Sequence, residues 1–382
     1  RQSRKTGPMS RHEDSGARRR LRDLGITLGR LPTGEHNAIT DVKGVRVGHT
    51  TLISGEGELV VGKGPVRTGV TVILPHEGDV GLDPVFAGYH VFNGNGEMTG
   101  LHWVKESGML TTPIAITNTH SVGVVHDAMI SYEVKRLRRP EIYFSLPVVA
   151  ETFDGWLNDI NGMHVREEHV WDALDAASGG PVAEGCVGGG TGMNCHEFKG
   201  GIGTSSRVVA EADGGWTVGV LVQANYGDRH LLRVDGVPVG ELIPYDEVPG
   251  FAEARKRTVD GSIIIVVATD APLLPHQCDR LAQRATVGLS RVGGIGANSS
   301  GDIFFCFANG NRGLPGAEER TRQVSDCRMI SPDAMTPLFE ACAEATEEAI
   351  LNAMCMATTT TGVNGRTIHA LPLARLRQLC CS

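Results

Sequence analysis

The chain has 382 residues, 41% of them hydrophobic and 21% charged, which is an ordinary balance for a globular protein with a sizeable core. Its net charge is −8, but residues 1–23 carry eight basic and three acidic side chains (+5), which leaves −13 on the remainder. An acidic body repels a nucleic-acid backbone, no apolar run approaches the roughly 18 residues of a membrane span, and the nine cysteines lack zinc-ligand spacing. We therefore expect a soluble, cytoplasmic protein that binds neither nucleic acid nor membrane. Residues 1–23 are expected to form a disordered basic tail.

Hydrophobic periodicity, β-branched runs and turn residues predict the elements of the remaining chain in order. They are a strand with a turn over 37–49, strands over 66–74 and 111–117, a helix over 122–137, a strand over 141–149, a helix over 169–177, a strand over 216–224, a polar loop over 238–261, a strand over 262–269, a helix over 275–289, a strand over 302–308 and a helix over 332–356. The strand over 262–269 is β-branched and apolar on both faces, so we expect other layers to cover it on both sides.

The order of these elements predicts the fold class. Strands in pairs, with helices between the groups, favour a layered α/β sandwich. No change of composition and no internal repeat divides residues 24–382, so they are expected to form one domain. The last helix has two possible starts, at Ser331-Pro332 or at Thr336-Pro337, because each pair offers an N-cap followed by a proline.

The junction between Gly261 and Ser262 is the most informative point of the sequence. A charged loop ends in Gly261, and Ser262 then opens the most apolar strand of the chain. Because glycine has no Cβ, its carbonyl can be presented in a strained conformation to the next hydroxyl, as an intramolecular N→O acyl shift requires. Cleavage would give Ser262 a free α-amine, whose ordinary pKa of roughly 7.7–8.0 suits a general base. A Gly-Ser pair by itself is more often a plain loop-to-strand junction.

Further motifs favour the catalytic interpretation because they occur together and in a fixed order. They are the segment 37–49, Leu146-Pro-Val-Val-Ala-Glu-Thr-Phe-Asp-Gly155, the glycine-rich segment 188–194, Gly201-Ile-Gly-Thr-Ser-Ser-Arg207, Gln223-Ala-Asn-Tyr-Gly227 and Ala297-Asn-Ser-Ser-Gly-Asp302. With these motifs the chain resembles, from about residue 25 to about 370, the self-processing family of L-aminopeptidase/D-amino-acid esterases (the D-aminopeptidase A type) and β-peptidyl aminopeptidases. The resemblance implies a serine aminopeptidase that releases N-terminal α- or β-amino acyl groups from short peptides, amides or esters.

The resemblance also implies a fold and an assembly. The fold is a four-layer αββα sandwich, which resembles N-terminal-nucleophile hydrolases but has its own connectivity. Autocatalytic cleavage between Gly261 and Ser262 would divide it into a large fragment, 1–261, and a small fragment, 262–382. Both fragments contribute strands to one core, and pairs of them are expected to form a homotetramer. No metal and no cofactor is expected.

The family's functional residues can be placed on this chain one at a time. Ser262 matches the nucleophile and Asn225 matches the donor to the oxyanion. Ser300 and Asp302 match a Ser and an acid, two residues apart, that orient the nucleophile and handle its proton; no His is involved. Glu151 matches the carboxylate that binds the substrate's free ammonium group. Taken singly, Glu151 and Asp302 would more often be solvated surface groups, and Asn225 a turn residue.

One position departs from part of the family. Some D-selective members carry a Tyr two residues after the Glu, with its hydroxyl near the nucleophile. This chain has Phe153 there, as β-peptidyl members do. Phe153 therefore cannot assist with a hydroxyl, and the preference among α-L, α-D and β-amino acyl groups stays open.

Several other functions are weighed against this one. The glycine clusters lack the third glycine of a dinucleotide-binding fingerprint, which Ser206 and Ser299 replace, and no G-x-S-x-G elbow or H-E-x-x-H zinc motif is present. Two alternatives stay open. One is an acyltransferase of the ornithine acetyltransferase type, whose usual nucleophile is Thr. The other is an unprocessed, non-catalytic oligomeric binding protein.

Overall fold

The structure, a computed structural model, describes residues 17–250, 261–316, 319 and 321–381. The strands of this part of the chain are β1 (Arg46–Ser54), β2 (Val66–Leu74), β3 (Val85–Gly94), β4 (Met109–Leu110), β5 (Ile114–Asn118), β6 (Val148–Thr152), β7 (Asn194–Cys195), β8 (Phe198–Lys199), β9 (Gly201–Val208), β10 (Thr217–Asn225), β11 (Ser262–Thr269), β12 (Gly301–Ala308), β13 (Thr360–Thr361) and β14 (Thr367–Ile368). The helices are α1 (Leu101–Ser107), α2 (Val122–Lys135), α3 (Glu167–Asp175), α4 (Val239–Leu242), α5 (Pro275–Val292), α6 (Met335–Met356) and α7 (Leu373–Cys380).

Two large sheets face each other. The first has the strand order β1-β2-β5-β6 and the second has the order β4-β3-β12-β11-β10-β9. Most neighbours are antiparallel, but β5 pairs with β6, and β11 with β12, in parallel. In each parallel pair a helix precedes the second strand, since α2 lies between β5 and β6 and α5 lies between β11 and β12.

Three apolar cores define the layers. The core between the sheets contains Ile116 and Ala150 of the first sheet together with Ile264 and Phe305 of the second. A second core joins the outer face of the first sheet to α2 and α3. A third joins the outer face of the second sheet to α5 and α6. The order is therefore helix, sheet, sheet, helix, which confirms the predicted four-layer αββα sandwich.

Strand β11 lies in the middle of this arrangement. All of its eight residues are buried, because it has a sheet on one face and helices on the other. Antiparallel pairing places Ser262 opposite Asn225 of β10, and parallel pairing places Ile263 beside Asp302 of β12. The first residue of β11 is thus held between the end of β10 and the start of β12.

The prediction of a strand over 141–149 is wrong. The strand in this region is β6, which begins at Val148. Pro140 and Pro147 bracket the segment between them, and proline cannot donate a hydrogen bond to a neighbouring strand. Ile142 and Phe144 are consequently 95% and 70% exposed, although both are apolar.

Part of the predicted basic tail is folded. Residues 21–24 form a 3-10 turn in which Leu21 is fully buried. The guanidinium of Arg18 donates to the carbonyls of Cys355 and Leu371, at 2.8 and 3.0 Å. The tail predicted for residues 1–23 is therefore too long, and its first sixteen residues lie outside the described part of the chain.

Several other boundaries differ from the predictions, among them those of the polar loop and of the last predicted helix. The polar loop over 238–261 contains the short helix α4, and its residues 251–260 lie outside the described part of the chain. Helix α6 begins at Met335, after a 3-10 turn that Pro332 opens. Neither predicted start is therefore the first α-helical residue, although Ser331 is in the N-cap position of the preceding turn, without a capping hydrogen bond from its side chain.

Candidate active site

Ser262 is the first residue of β11 and lies opposite the last residue of β10. Its side chain is almost buried, with 6% of the residue exposed. Its hydroxyl oxygen accepts a hydrogen bond from the backbone N–H of Gly301, at 3.0 Å. Because the oxygen is held as an acceptor, its own hydrogen can be donated to a base.

Ser300 and Asp302 flank that same glycine. The Ser300 hydroxyl donates to Asp302 Oδ1 at 2.6 Å, and both residues are buried. Burial raises the pKa of the Asp302 carboxyl to about 6, although the Ser300 hydroxyl and the backbone N–H of Ile263 oppose the rise. Since the hydrogen of Ser300 is used by Asp302, the lone pairs of Ser300 are available to accept a proton. The structure thus brings both predicted residues beside Ser262.

Asn225 ends β10 directly opposite Ser262. The backbone N–H of Asn194 donates to its Oδ1 at 2.9 Å, and its Nδ2 donates to the carbonyl of Phe153 at 3.0 Å. These two contacts fix which end of the amide is the donor. One hydrogen of Nδ2 is used in the contact with Phe153, and an oxyanion donor at this position would use the second.

Gly261 packs tightly against Asn225. A Cβ at position 261 would lie 1.5 Å from the backbone oxygen of Asn225 and 3.0 Å from its Nδ2. No other residue type fits this backbone without movement. The peptide predicted to be cleaved therefore lies beside the amide predicted to stabilise an oxyanion.

Glu151 is in the first sheet, on β6, and reaches the same region from the opposite layer. The residue is 3% exposed. Its Oε1 accepts the backbone N–H of Glu97 at 2.8 Å, and its Oε2 accepts the hydroxyl of Thr119. Burial raises the pKa of Glu151, and both hydrogen bonds counter that rise by stabilising the carboxylate.

Gly96 lies between Glu151 and Gly301. A Cβ at position 96 would lie 3.1 Å from the Cα of Gly301 and 3.3 Å from Glu151 Oε1. Glu151 and the Ser262–Gly301 pair are therefore separated by little more than one glycine. Phe153 follows β6 and contributes its carbonyl to Asn225, while its ring tip would meet a Cβ at Gly155 at 2.4 Å.

Sequence reasoning missed four members of this site: the Gly301 amide, Asn194, Thr119 and Gly96. Thr119 could have been found, because parallel strands β5 and β6 end at the same edge and Asn118 lies beside Thr152. Asn194 and Gly301 lie within quoted motifs, but their contribution is made by the backbone, which composition does not reveal. Gly96 acts by the absence of a side chain.

Among the described residues, 17–250, 261–316, 319 and 321–381, no helix is both long and apolar enough to cross a lipid bilayer. No cluster of three or more His, Cys, Asp or Glu side chains among them is placed to hold a metal ion.

Comparison with known proteins places the chain in a family. Residues 37–368 match the profile of peptidase family S58. The chain is 52% identical over 369 residues to the β-peptidyl aminopeptidase BapA of Sphingosinicella microcystinivorans, covering 94% of this chain and 91% of that protein. The matched residues 37–368 lie within the span, from about residue 25 to about 370, over which the sequence resembles this family.

Solved structures agree with this assignment. A Burkholderia sp. β-aminopeptidase superimposes with a TM-score of 0.87 and 53% identity, covering 94% of this chain and 99% of that one. The L-aminopeptidase D-Ala-esterase/amidase of Ochrobactrum anthropi superimposes with a TM-score of 0.85 and 43% identity, covering 94% and 97%. The latter is described as a prototype of the serine aminopeptidases and a new variant of the N-terminal-nucleophile hydrolase fold.

The chain therefore belongs to peptidase family S58 and is a serine-type aminopeptidase. This confirms the predicted family, fold class and enzyme class.

Proposed function

We propose that this aminopeptidase matures by breaking its own Gly261–Ser262 bond and then uses Ser262 as an N-terminal nucleophile. The observation that supports the proposal most strongly is the packing of Gly261 against Asn225, with the Ser262 hydroxyl held by Gly301. In the acyl shift, Ser262 Oγ attacks the Gly261 carbonyl, and the Asn225 amide stabilises the oxyanion that forms. The Gly261–Ser262 C–N bond breaks as the ester forms, which frees the α-amine of Ser262. Water then hydrolyses the ester and releases the Gly261 carboxylate and the Ser262 hydroxyl.

In the mature enzyme the same groups would act on a substrate. Ser262 Oγ attacks the substrate carbonyl and passes its proton to its own α-amine, whose ordinary pKa is roughly 7.7–8.0. Ser300, oriented by Asp302, relays a proton to the leaving amine. Asn225 Nδ2 stabilises the oxyanion, and water hydrolyses the acyl-enzyme.

Glu151 accounts for selection of a free N-terminus. An ammonium group brought to its carboxylate would make a charge-assisted hydrogen bond in a nearly water-free site. An internal peptide bond carries no such charge. Its binding would leave the buried Glu151 carboxylate without a counterion, so the substrate would be rejected. The substrate is thus a small peptide, amide or ester with a free amine.

We include β-amino acyl groups among the proposed substrates. The Sphingosinicella and Burkholderia relatives are named for action on β-peptides or as β-aminopeptidases. Phe153 is compatible with these relatives because it supplies an apolar ring and no hydroxyl. A comparison of kcat/KM on β-homoamino acyl, α-L and α-D p-nitroanilides tests this part of the proposal.

We also propose a homotetramer of fragment pairs in the cytoplasm. The segment between α2 and β6 exposes Ile142 and Phe144, apolar side chains that a neighbouring subunit could cover. All nine cysteines are free, as in a reducing compartment. Native mass determination and fractionation of cells test these two statements separately.

Intact mass under denaturing conditions tests the central proposal. The wild type should separate into two fragments, 1–261 and 262–382, whereas Ser262→Ala should stay whole. Ser290→Ala, which changes a serine on the exposed side of α5, is the matched control and should be cleaved. A wild type that stays at full mass after long incubation, yet hydrolyses aminoacyl p-nitroanilides, would refute cleavage but leave the aminopeptidase activity intact.

A further inference from the structure

A short segment, residues 95–99, connects the two sheets beside the proposed catalytic residues. It follows β3 of the second sheet and pairs with β6 of the first sheet. We propose that this segment is a spacer, which sets the separation between Glu151 and the Gly301 amide and makes Gly96 a specificity-determining residue for the length of the aminoacyl group. The proposal rests on the proposed roles of Glu151 and Ser262.

One end of the spacer is attached to the residues that open β12. The backbone N–H of Asn95 donates to the carbonyl of Ser300 at 3.3 Å, and its Nδ2 donates to the carbonyl of Ser299 at 2.6 Å. A Cβ at Gly301 would lie 2.4 Å from the backbone oxygen of Asn95, so the two backbones are in direct contact. This end of the spacer is therefore fixed to the amide that holds the Ser262 hydroxyl.

The other end of the spacer is attached to β6 and to the residue before it. The backbone N–H of Glu97 donates to Glu151 Oε1 at 2.8 Å, a hydrogen bond to a charged acceptor. The backbone N–H of Thr99 donates to the carbonyl of Val149 at 2.9 Å. The Thr99 hydroxyl accepts the N–H of Val149 at 2.9 Å and donates to the carbonyl of Pro147 at 2.7 Å. The carboxylate of Glu151 is thus fixed to this end of the spacer.

Gly96 lies between these two attachments. A Cβ at Gly96 would lie 3.1 Å from the Cα of Gly301 and 3.3 Å from Glu151 Oε1, and a Cβ at Gly301 would lie 2.7 Å from the Cα of Gly96. The φ of Gly96 is outside the left-handed region, so its backbone conformation does not require glycine. The requirement is one of space, because a side chain at position 96 would press against both functional groups.

The aminoacyl group of the substrate has to bridge this separation, with its ammonium group at Glu151 and its carbonyl carbon at Ser262. In an α-aminoacyl group a single carbon joins the two, so bond angles fix the distance between the nitrogen and the carbonyl carbon. In a β-aminoacyl group two carbons join them, and rotation about the bond between these carbons lets the distance vary. A change in the separation therefore misplaces the carbonyl of an α-aminoacyl substrate more than that of a β-aminoacyl substrate.

Alanine at position 96 would enlarge the separation. Its Cβ would be 3.1 Å from the Gly301 Cα, whereas carbon atoms in van der Waals contact are about 3.5–4.0 Å apart. Gly301 and Glu151 would consequently move by a few tenths of an ångström. Because hydrogen bonds on both sides of position 96 hold the spacer, we expect the fold to be retained while the acyl site becomes longer.

Selectivity for the length of the acyl group tests the proposal. The two substrates are L-alanyl and β-homoalanyl p-nitroanilide, which differ by one methylene. In Gly96→Ala, kcat/KM for the L-alanyl substrate should fall about tenfold more than kcat/KM for the β-homoalanyl substrate. Equal losses, no loss, or a larger loss on the β-homoalanyl substrate would overturn the proposal. If one substrate is hydrolysed too slowly, its Ki against hydrolysis of the other replaces its kcat/KM.

Gly94→Ala is the matched control. Gly94 is an exposed glycine two residues earlier in the chain, and a Cβ there would meet only the side chain of Val91, at 3.8 Å. The ratio of the two kcat/KM values should be the same in this variant as in the wild type. A ratio that changes as much as in Gly96→Ala would show that the close contacts of position 96 do not set the selectivity.

Intact mass and thermal unfolding show whether Gly96→Ala folds and matures as the wild type does. If it does not, Asn95→Ala replaces it, because this change removes the hydrogen bond to Ser299 from an exposed side chain and leaves the separation less well fixed. The ratio should again shift in favour of the β-homoalanyl substrate, and an unchanged ratio would refute the spacer. A wild type that hydrolyses neither substrate would refute the proposed function itself, whereas an active wild type whose selectivity survives these changes would refute only the spacer.

Discussion

The amide nitrogen of Gly301 lies 3.0 Å from the hydroxyl oxygen of Ser262 and donates a hydrogen bond to it. Gly301 is also the residue between Ser300 and Asp302, so one tripeptide contains both the amide that binds the Ser262 hydroxyl and the Ser300–Asp302 hydrogen bond. Parallel pairing of β11 with β12 fixes this relationship, because Ile263 lies beside Asp302. The site is therefore assembled by strand register rather than by a flexible loop.

Gly261→Ala should block maturation. The new Cβ would lie 1.5 Å from the backbone oxygen of Asn225, so the peptide bond must move away from its oxyanion donor. Intact mass should show an uncleaved chain, as for Ser262→Ala. Gly123→Ala is the control, since a Cβ at that position of α2 meets nothing within 4 Å and cleavage should be normal. Full cleavage of Gly261→Ala would show that this contact does not matter.

The Ser300–Asp302 pair should control catalysis and its dependence on pH. Ser300→Ala removes the proposed proton relay and should lower kcat by roughly 10²–10⁴-fold, the range typical of general acid–base catalysis. Since the pKa of Asp302 is about 6, activity should fall as the pH is lowered through that value and the carboxylate is protonated. In Asp302→Asn this acidic decline should disappear along with most of the activity. A pH–kcat/KM profile that keeps the decline in Asp302→Asn would assign it to another group.

Asp302→Asn should also stabilise the protein at high pH. Burial raises the pKa of Asp302 from 3.8 to about 6, so the folded state binds a proton more readily than the unfolded state. Stability from this group is fully present below about pH 3.8 and is lost as the pH rises through 6, by at most roughly 3 kcal/mol. Asn keeps an oxygen for Ser300 but carries no charge. In the uncleaved Ser262→Ala background, the Tm of the Asp302→Asn variant should rise relative to the Tm of its parent between pH 4 and pH 8. A Tm difference that does not change with pH would contradict this prediction.

Much of this arrangement could be predicted from sequence, and the remainder depends on distant contacts. The β-branched run after Ser262 predicts a buried strand, and β11 has the predicted bounds, Ser262–Thr269. Its neighbours could not be predicted in the same way, because Asn225 and Asp302 reach Ser262 only through pairing with β10 and β12. Local pattern specifies an element, but register specifies a site.

Two errors have equally physical causes. The apolar residues Ile142 and Phe144 suggested a strand, but the flanking prolines Pro140 and Pro147 remove donors that pairing requires. The basic residues before Leu24 suggested a free tail, yet Arg18 and Arg22 contact the carboxyl-terminal part of the chain more than 320 positions away. Charge alone does not distinguish a solvated side chain from one with a distant partner.

Thr119→Val should weaken recognition of the substrate's ammonium group. The Thr119 hydroxyl donates to Glu151 Oε2 and opposes the rise in pKa that burial causes. Without it the pKa of Glu151 rises further, so the carboxylate is protonated at higher pH. We expect KM to increase about tenfold with a smaller change in kcat, and the acidic limb of kcat/KM to move to higher pH. Thr119→Ser keeps the hydroxyl and should restore both values; equal defects in the Ser and Val variants would indicate lost packing instead.

The buried cluster around Arg207 should hold the two proposed fragments together. Arg207 belongs to the large fragment and is fully buried; its Nε lies 3.0 Å from Glu344 Oε2 and its Nη2 lies 2.7 Å from Glu348 Oε2, both on α6 of the small fragment. Arg207→Met leaves two buried carboxylates without that partner, so unfolding free energy should fall by roughly 3–5 kcal/mol in the uncleaved Ser262→Ala background.

Arg30→Ala is the matched control for this prediction. The Arg30–Glu340 ion pair also joins the two fragments, but the Arg30 side chain is 77% exposed, so its removal should change stability much less than Arg207→Met does. Denaturant unfolding of both variants measures the contrast. In cleaved wild type the transition should also depend on protein concentration, because two chains separate. Equal losses in Arg207→Met and Arg30→Ala would show that the buried cluster is not what joins the fragments.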